Sequence, residues 1–296
     1  MENGFKAGFV NIVGNPNVGK STLMNDLVGE RLSIITSKAQ TTRHRINGIV
    51  NGPGYQIVFS DTPGVLKPKY RLQENMLSFS EGALTDADVL LYVTDVVEDP
   101  TKNADFLERV AKEKVPVLLV INKIDLLKGH DDLEGIVNKW KDILPNAEVF
   151  PISATERFNV DNLMNRILEL LPEGQPYFGT DALTDKPARF FVTEIIREKI
   201  LLSYEKEIPY SVEVIVEKFE EKETSIHIMA VIYVERDTQK GIIIGKGGQK
   251  IKHIGIEARK DIEKFFGKKV YLEMFVKVEE NWRNRENKLR EFGYEG

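Results

Sequence analysis

Up to about Leu171 the chain alternates short, almost wholly apolar runs with longer stretches in which apolar residues return every three or four positions. The runs GFVNIVG (8–14), YQIVFSD (55–61), DVLLYVTD (88–95), VPVLLVINK (115–123) and EVFPIS (148–153) predict five strands. Between them KSTLMNDLVG, NADFLERVAKE and DNLMNRILELL carry the helical period. Strands apolar on both faces, alternating with amphipathic helices, predict an α/β fold: a doubly wound, mostly parallel sheet covered on both sides. Such a sheet takes its ligand beyond the carboxyl ends of its strands.

The stretch LPEGQPYFGTDALTDKP (171–187), with three prolines and two glycines, breaks this periodicity and reads as a linker. The pattern after it differs. A helix over about Ala188 to Tyr204 precedes two alternating strands, YSVEVIVEKF and TSIHIMAVIYVER. A short helix, a glycine-rich loop and a long helix follow, then a strand KVYLEMFVKV and a polar terminal helix. The order α-β-β-α-α-β predicts a smaller α+β domain. The expected division is residues 1–173 for the first domain, 174–187 for the linker and 188–296 for the second domain with its C-terminal helix. At 296 residues, two domains suit the length.

Composition narrows the classes. With no cysteine, disulfides and thiolate catalysis are excluded. No run of 18 or more apolar residues exists, so no helical membrane span is expected. The start MENGFKAGFV lacks the basic-then-apolar layout of a secretory signal. The net charge of −5 resolves when divided: residues 1–180 carry 19 Lys+Arg against 24 Asp+Glu, residues 181–296 carry 22 of each. Within the second part, 241–270 holds eight basic residues against three acidic ones, a local excess of +5.

The first strand runs straight into Gly14-Asn15-Pro16-Asn17-Val18-Gly19-Lys20-Ser21-Thr22, which satisfies G-x-x-x-x-G-K-[ST] with a strand before it and a helix after. The glycines let successive backbone N–H groups turn inward on phosphate oxygens, and the helix N-terminus adds partial positive charge. Lys20 would reach the β- and γ-phosphates and the Ser21 hydroxyl would ligate Mg²⁺. Asp61-Thr62-Pro63-Gly64 ends the strand YQIVFSD; Asp61 can hold a Mg²⁺-bound water and the Gly64 N–H can meet the γ-phosphate. The polar loop AQTTRHR (39–45) offers a threonine, Thr42 in preference to Thr41, to complete the metal shell.

Asn122-Lys123-Ile124-Asp125 closes the fourth predicted strand. A buried carboxylate at Asp125 can accept two hydrogen bonds from guanine N1 and its 2-amine, whereas adenine would leave it unpaired. Asn122 would brace the pocket and the Lys123 stem would cover the ring. Ser153-Ala154-Thr155 follows the last strand, where the Ala154 N–H can meet the guanine carbonyl. The expected ligands are therefore GTP and Mg²⁺.

These motifs, in this order, resemble the Ras-like P-loop GTPases, and specifically the branch containing the Era family, which shares GxPNVGKSTL and QTTRHR. In the second domain Gly245-Lys246-Gly247-Gly248 is similar to the GxxG turn of KH domains, and the element order is that of type II KH domains. A GTPase joined to a KH domain resembles the Era family over nearly the whole chain. The resemblance implies single-stranded RNA clamped by the GxxG backbone, with Ile244, Lys246, Lys250 and Lys252 at that site and Ile242, Ile244, Ile251 and Ile254 as candidates for the base groove. It further implies the 3′ region of small-subunit ribosomal RNA, the small ribosomal subunit as partner, and a role in its assembly. A cytoplasmic location is expected, with a peripheral contact at the inner membrane as a further expectation.

One position departs from the Ras pattern. Val65 follows Gly64 where a glutamine would orient the attacking water, so slow intrinsic hydrolysis is expected. Lys20, Thr42, Gly64 and Asn17 make up the expected catalytic set, because in related GTPases this asparagine helps seat a K⁺ against the phosphates. An alternative is an RNA-binding module whose GTP is structural and very slowly hydrolysed; the complete set Ser21, Thr42 and Asp61 favours the GTPase.

Overall fold

The computed structural model describes residues 4–294. The outer ends of the two expected domains, 1–3 and 295–296, lie outside the described residues. The first unit comprises β1 (Lys6–Val13), α1 (Lys20–Val28), β2 (Ile46–Gly52), β3 (Tyr55–Asp61), α2 (Arg71–Thr85), β4 (Val89–Asp95), α3 (Ala104–Lys112), β5 (Val117–Asn122), α4 (His130–Ile143), β6 (Glu148–Pro151) and α5 (Val160–Leu170). The strand order is β2-β3-β1-β4-β5-β6. All neighbours run parallel except β2 and β3, which form a hairpin.

Alternation along the strands builds two apolar layers. Ile12, Leu91 and Val120 pack with Leu23 of α1 and Leu163 of α5; Val13, Tyr92 and Ile121 pack with Leu84 of α2, Phe106 of α3 and Trp140 of α4. Five strands match those expected. The strand β2, INGIVNG, is an addition: two glycines and two asparagines in seven residues give weak β propensity, and pairing with β3 organises it.

The proline-rich stretch is not a free tether. Gln56 binds both Tyr177 N (2.7 Å) and Phe178 N (3.0 Å) through its Oε1, Ile49 N donates to Leu183 O (2.8 Å), and Thr184 Oγ1 donates to Asn47 O (2.6 Å). The segment therefore runs along β2 and covers the edge of the sheet, which would otherwise present unpaired backbone groups.

The second unit follows the expected order: α6 (Ala188–Ser203), a single turn α7 (Ile208–Ser211), β7 (Glu213–Glu221), β8 (Ser225–Val234), α8 (Asp237–Ile244), α9 (Gln249–Phe266) and β9 (Lys269–Val278). Its sheet is β7-β8-β9, antiparallel then parallel, with α6, α8 and α9 on one face. The terminal helix is short, α10 (Glu286–Glu291), after a 3₁₀ turn at Trp282–Asn284. Trp282, Leu289, Phe292 and Tyr294 cover the other face of this sheet and also pack on Leu72 and Met76 of α2. Among the described residues no helix is long and apolar enough to cross a membrane.

Candidate functional site

The four motifs converge at the carboxyl ends of β1, β3, β5 and β6. Residues 14–19 wrap the start of α1. Gly14 (φ 145°) lies against the Val93 carbonyl and Gly19 (φ 96°) against the Asn122 amide, and in both places a Cβ would collide. Lys20 is buried, and its Nζ donates to the carbonyls of Gly14 (3.1 Å) and Asn15 (2.8 Å). Burial lowers its pKa to about 8, against the opposing pull of the Asp61 and Glu98 carboxylates.

Ser21, Thr42 and Asp61, the three residues expected at the metal, lie together. Ser21 Oγ lies 2.7 Å from Asp61 Oδ2 and 2.9 Å from Thr42 Oγ1, and Thr42 Oγ1 lies 3.4 Å from the same carboxylate oxygen. Asp61 Oδ1 is buried without a partner. Burial raises the Asp61 pKa, while Lys20 and the Ser21 hydroxyl oppose that. Two hydroxyls and a carboxylate with an unpaired buried oxygen fit a hard divalent cation that keeps waters and takes its remaining ligands from phosphates. Among the described residues no group of three His, Cys, Asp or Glu could hold a metal ion. Thr41 turns away: its hydroxyl pairs with Thr36 Oγ1 and Lys38 O, both at 2.6 Å. A cleft of about 350 Å³ opens here, lined by Pro16, Asn17, Lys20, Ser21, Thr42 and Gly64 among others.

On the base side, Asn122 Nδ2 donates to Val18 O (2.9 Å) and its Oδ1 accepts from Ala154 N (3.0 Å), tying the two loops together. Lys123, at φ 63°, donates to Asn17 O and to Asp95 Oδ2, both at 2.6 Å. Two expectations change. The Ala154 N–H is engaged by Asn122, so a guanine carbonyl would share or replace that bond. Asp125 is exposed, because it sits on a 3₁₀ turn (Ile124–Leu126) projecting beyond the end of the sheet; Ser153 Oγ donates to its Oδ1 at 2.6 Å. Thr22 lies in the first turn of α1, and Thr62 and Pro63 anchor the loop after β3: Thr62 Oγ1 donates to Ile12 O (2.7 Å), and Pro63 O accepts from Ser80 Oγ (2.8 Å). Val65 is buried in the core with Leu84 and Tyr92, so its side chain faces away from the cleft.

Three features went unread in the sequence. Glu98 accepts from Thr94 Oγ1 at 2.7 Å, and its charge reaches Lys20. Asn103 joins Asn15 to Val65. The loop AQTTRHR is packed under the second unit: Arg43 is fully buried and donates to Val212 O (2.7 Å), Pro209 O (3.0 Å) and Glu213 Oε2 (3.1 Å). Arg197 of α6 reaches back to the Thr41 carbonyl. The residue after Thr42 is thus an anchor of the second unit, a link that only side chains distant in sequence reveal.

In that unit Gly245, Gly247 and Gly248 all have positive φ (70°, 59° and 76°), and Lys246, Lys250 and Lys252 are exposed around them. A groove between α9 and β9 is lined by Ile251, Lys252, Gly255, Arg259, Leu272 and Met274 among others. Of the isoleucines expected there, Ile251 lines it, Ile244 is half-buried and Ile242 is exposed. Ile254 is a correction: it is 1% exposed and belongs to the core, since it lies on the inner face of α9.

The chain matches the family model described as a 50S ribosome-binding GTPase over residues 9–123, and the KH domain model over residues 207–283. Two solved structures are similar along almost all of it. One is a single-residue variant of Era from Aquifex aeolicus bound to GDP·AlF4⁻; the other is Era in complex with MgGDPNP and nucleotides 1506–1542 of 16S ribosomal RNA. Each is 40% identical, with 98% of this chain and 99% of that chain covered and a TM-score of 0.94.

Proposed function

The chain belongs to the Era family of GTPases, and from that premise we propose that it is a GTP-hydrolysing, RNA-binding protein that engages the 3′ region of small-subunit ribosomal RNA during assembly of the small ribosomal subunit. In this reading residues 1–173 bind and cleave GTP, 174–187 link, and 188–296 bind RNA. It acts in the cytoplasm, and any membrane contact is peripheral. The observation that carries it is the meeting of the Ser21 and Thr42 hydroxyls at Asp61, whose other carboxylate oxygen is buried and unpaired, one residue from an arginine buried against the second unit.

Each residue has a role in the proposed site. Asp125 reads the guanine edge, Asn122 and Lys123 hold that pocket to the loop at 14–19, and Lys20 binds the β- and γ-phosphates. Ser21, Thr42 and Asp61 would hold Mg²⁺, which neutralises phosphate charge when bound. Water adds to the γ-phosphorus as the bond to the β–γ bridging oxygen breaks, giving GDP and phosphate. No side chain stands where the Ras glutamine would, so orientation of that water falls to backbone groups around Gly64 and Thr42, and turnover is slow. Asn17 donates through Nδ2 to Ser37 O at 3.0 Å, which leaves its Oδ1 to help hold K⁺ beside the phosphates.

RNA binding is tested with the double substitution Lys246→Asp and Gly247→Asp. Binding of a 3′-terminal small-subunit rRNA fragment should be lost while GTP affinity stays within about threefold, since distant sites act additively. The wild-type affinity should fall with salt at a log–log slope near −0.7 per phosphate neutralised. Full RNA affinity in the double variant would remove the KH-type site.

A further inference from the structure

Around Gly64 the backbone is pinned on both sides. Thr62 Oγ1 holds it to β1, Ser80 Oγ holds the Pro63 carbonyl, and Val65 N donates to Gly14 O at 3.1 Å. Gly64 lies so close to Pro16 that a Cβ would stand 2.7 Å from the proline Cα. The remaining pin is Asn103, the residue capping the start of α3. Its Nδ2 donates to Asn15 Oδ1 at 2.6 Å and to Val65 O at 2.9 Å. One amide group thus ties the phosphate-binding loop to the Val65 carbonyl, one peptide beyond the Gly64–Val65 link. Asn103 itself sits at φ 58°, a conformation that asparagine tolerates better than most residues.

We infer that Asn103 is a positioning residue for GTP hydrolysis. This rests on the GTPase reading above. Where a glutamine side chain is missing, the direction of the Gly64 N–H becomes the main means of fixing the γ-phosphate and its attacking water on that side. That direction is set by the peptides on either side of it. The C-terminal one is held by the Val65 N–H on the Gly14 carbonyl, and Asn103 fixes the next peptide, through the Val65 carbonyl, in register with the same loop. A preset donor costs no reorganisation at the moment of reaction, and a displacement of about 1 Å at such a donor can lower a rate by about two orders of magnitude. Asn103 touches neither nucleotide nor metal in this scheme; it acts through Gly64 and Val65.

The test uses the full chain and two substitutions that separate its roles. Asn103→Gly keeps the positive φ and removes the amide; Asn103→Asp keeps the shape but turns a double donor into an acceptor facing two acceptors. Single-turnover GTP cleavage and equilibrium GTP and GDP affinity are measured for both, with Lys20→Ala alongside. Both Asn103 variants should cleave at least about tenfold more slowly with affinity within about twofold, a loss in the chemical step alone. A wild-type rate in Asn103→Gly would overturn the inference, as would equal losses of affinity and rate. If Lys20→Ala cleaves GTP as fast as wild type, the phosphate site itself has been misread, whatever the Asn103 variants do.

Discussion

Replacing Arg43 by alanine should be among the most damaging single changes in this chain outside the apolar core. The side chain is fully buried between the two units and makes three hydrogen bonds, one of them to Glu213, which is 2% exposed. Without Arg43, Glu213 keeps its bond from the Tyr294 hydroxyl (2.5 Å) but loses its cationic partner, and the carbonyls of Pro209 and Val212 lose a donor. Breaking a buried pair by removing one partner costs about 3–5 kcal/mol, mostly because the other charge is left uncompensated. Removing both charges should cost less than the sum, so Arg43→Met with Glu213→Gln should recover part of the loss, with a coupling energy of about 1–3 kcal/mol. Urea unfolding read by tryptophan fluorescence suits the question, since Trp282 lies in this interface, its Nε1 donating to Ser211 O. With a urea slope of about 3 kcal/mol/M, the Arg43→Ala midpoint should fall by about 1 M or more. A loss below about 1 kcal/mol, or strictly additive losses in the double variant, would refute the reasoning.

Other outcomes follow from the site. Asp125→Asn should move preference from GTP to xanthosine triphosphate, and wild-type discrimination against ATP should be at least about 10⁴-fold; equal ATP and GTP affinity would end the guanine assignment. Turnover in K⁺ should exceed that in Na⁺ by about tenfold, and Asn17→Ala should abolish the difference; matched wild-type rates in the two salts would remove the K⁺ site. Because Lys20 is depressed to about 8 in the free protein and phosphate binding favours its charged form, GTP affinity should weaken above pH 8 by up to about tenfold per unit, and Lys20→Arg should flatten that profile; calorimetric titration between pH 7 and 9.5 decides. The same depression makes stability rise with pH between about 8 and the usual lysine range, where the unfolded chain binds the extra proton.

How far the sequence could be read depended on whether a feature was contiguous. The loop at 14–21, Asp61 to Gly64, Asn122 to Asp125 and Ser153 to Thr155 are each a short string at the end of an apolar strand, so strand order alone brings them together. What escaped depends on pairing between distant segments. INGIVNG becomes β2 only against β3, and the stretch 174–187 looked like a tether because its hydrogen bonds go to β2 and Gln56. Arg43 read as a polar loop residue; it is buried because the second unit lies over it. Ile254 was a candidate for the RNA groove from the KH resemblance, whereas its turn of α9 faces the core. Asn103 carried no motif, and only its two bonds mark it.

The most direct measurement of the central claim is single-turnover cleavage of GTP and ATP by the full chain in Mg²⁺ and K⁺, with and without a 3′-terminal small-subunit rRNA fragment bound at the Lys246 loop. Phosphate should be released slowly from GTP and not at all from ATP, with the RNA fragment bound under the same conditions. No GTP cleavage in either condition, or equal cleavage of ATP, would contradict that claim.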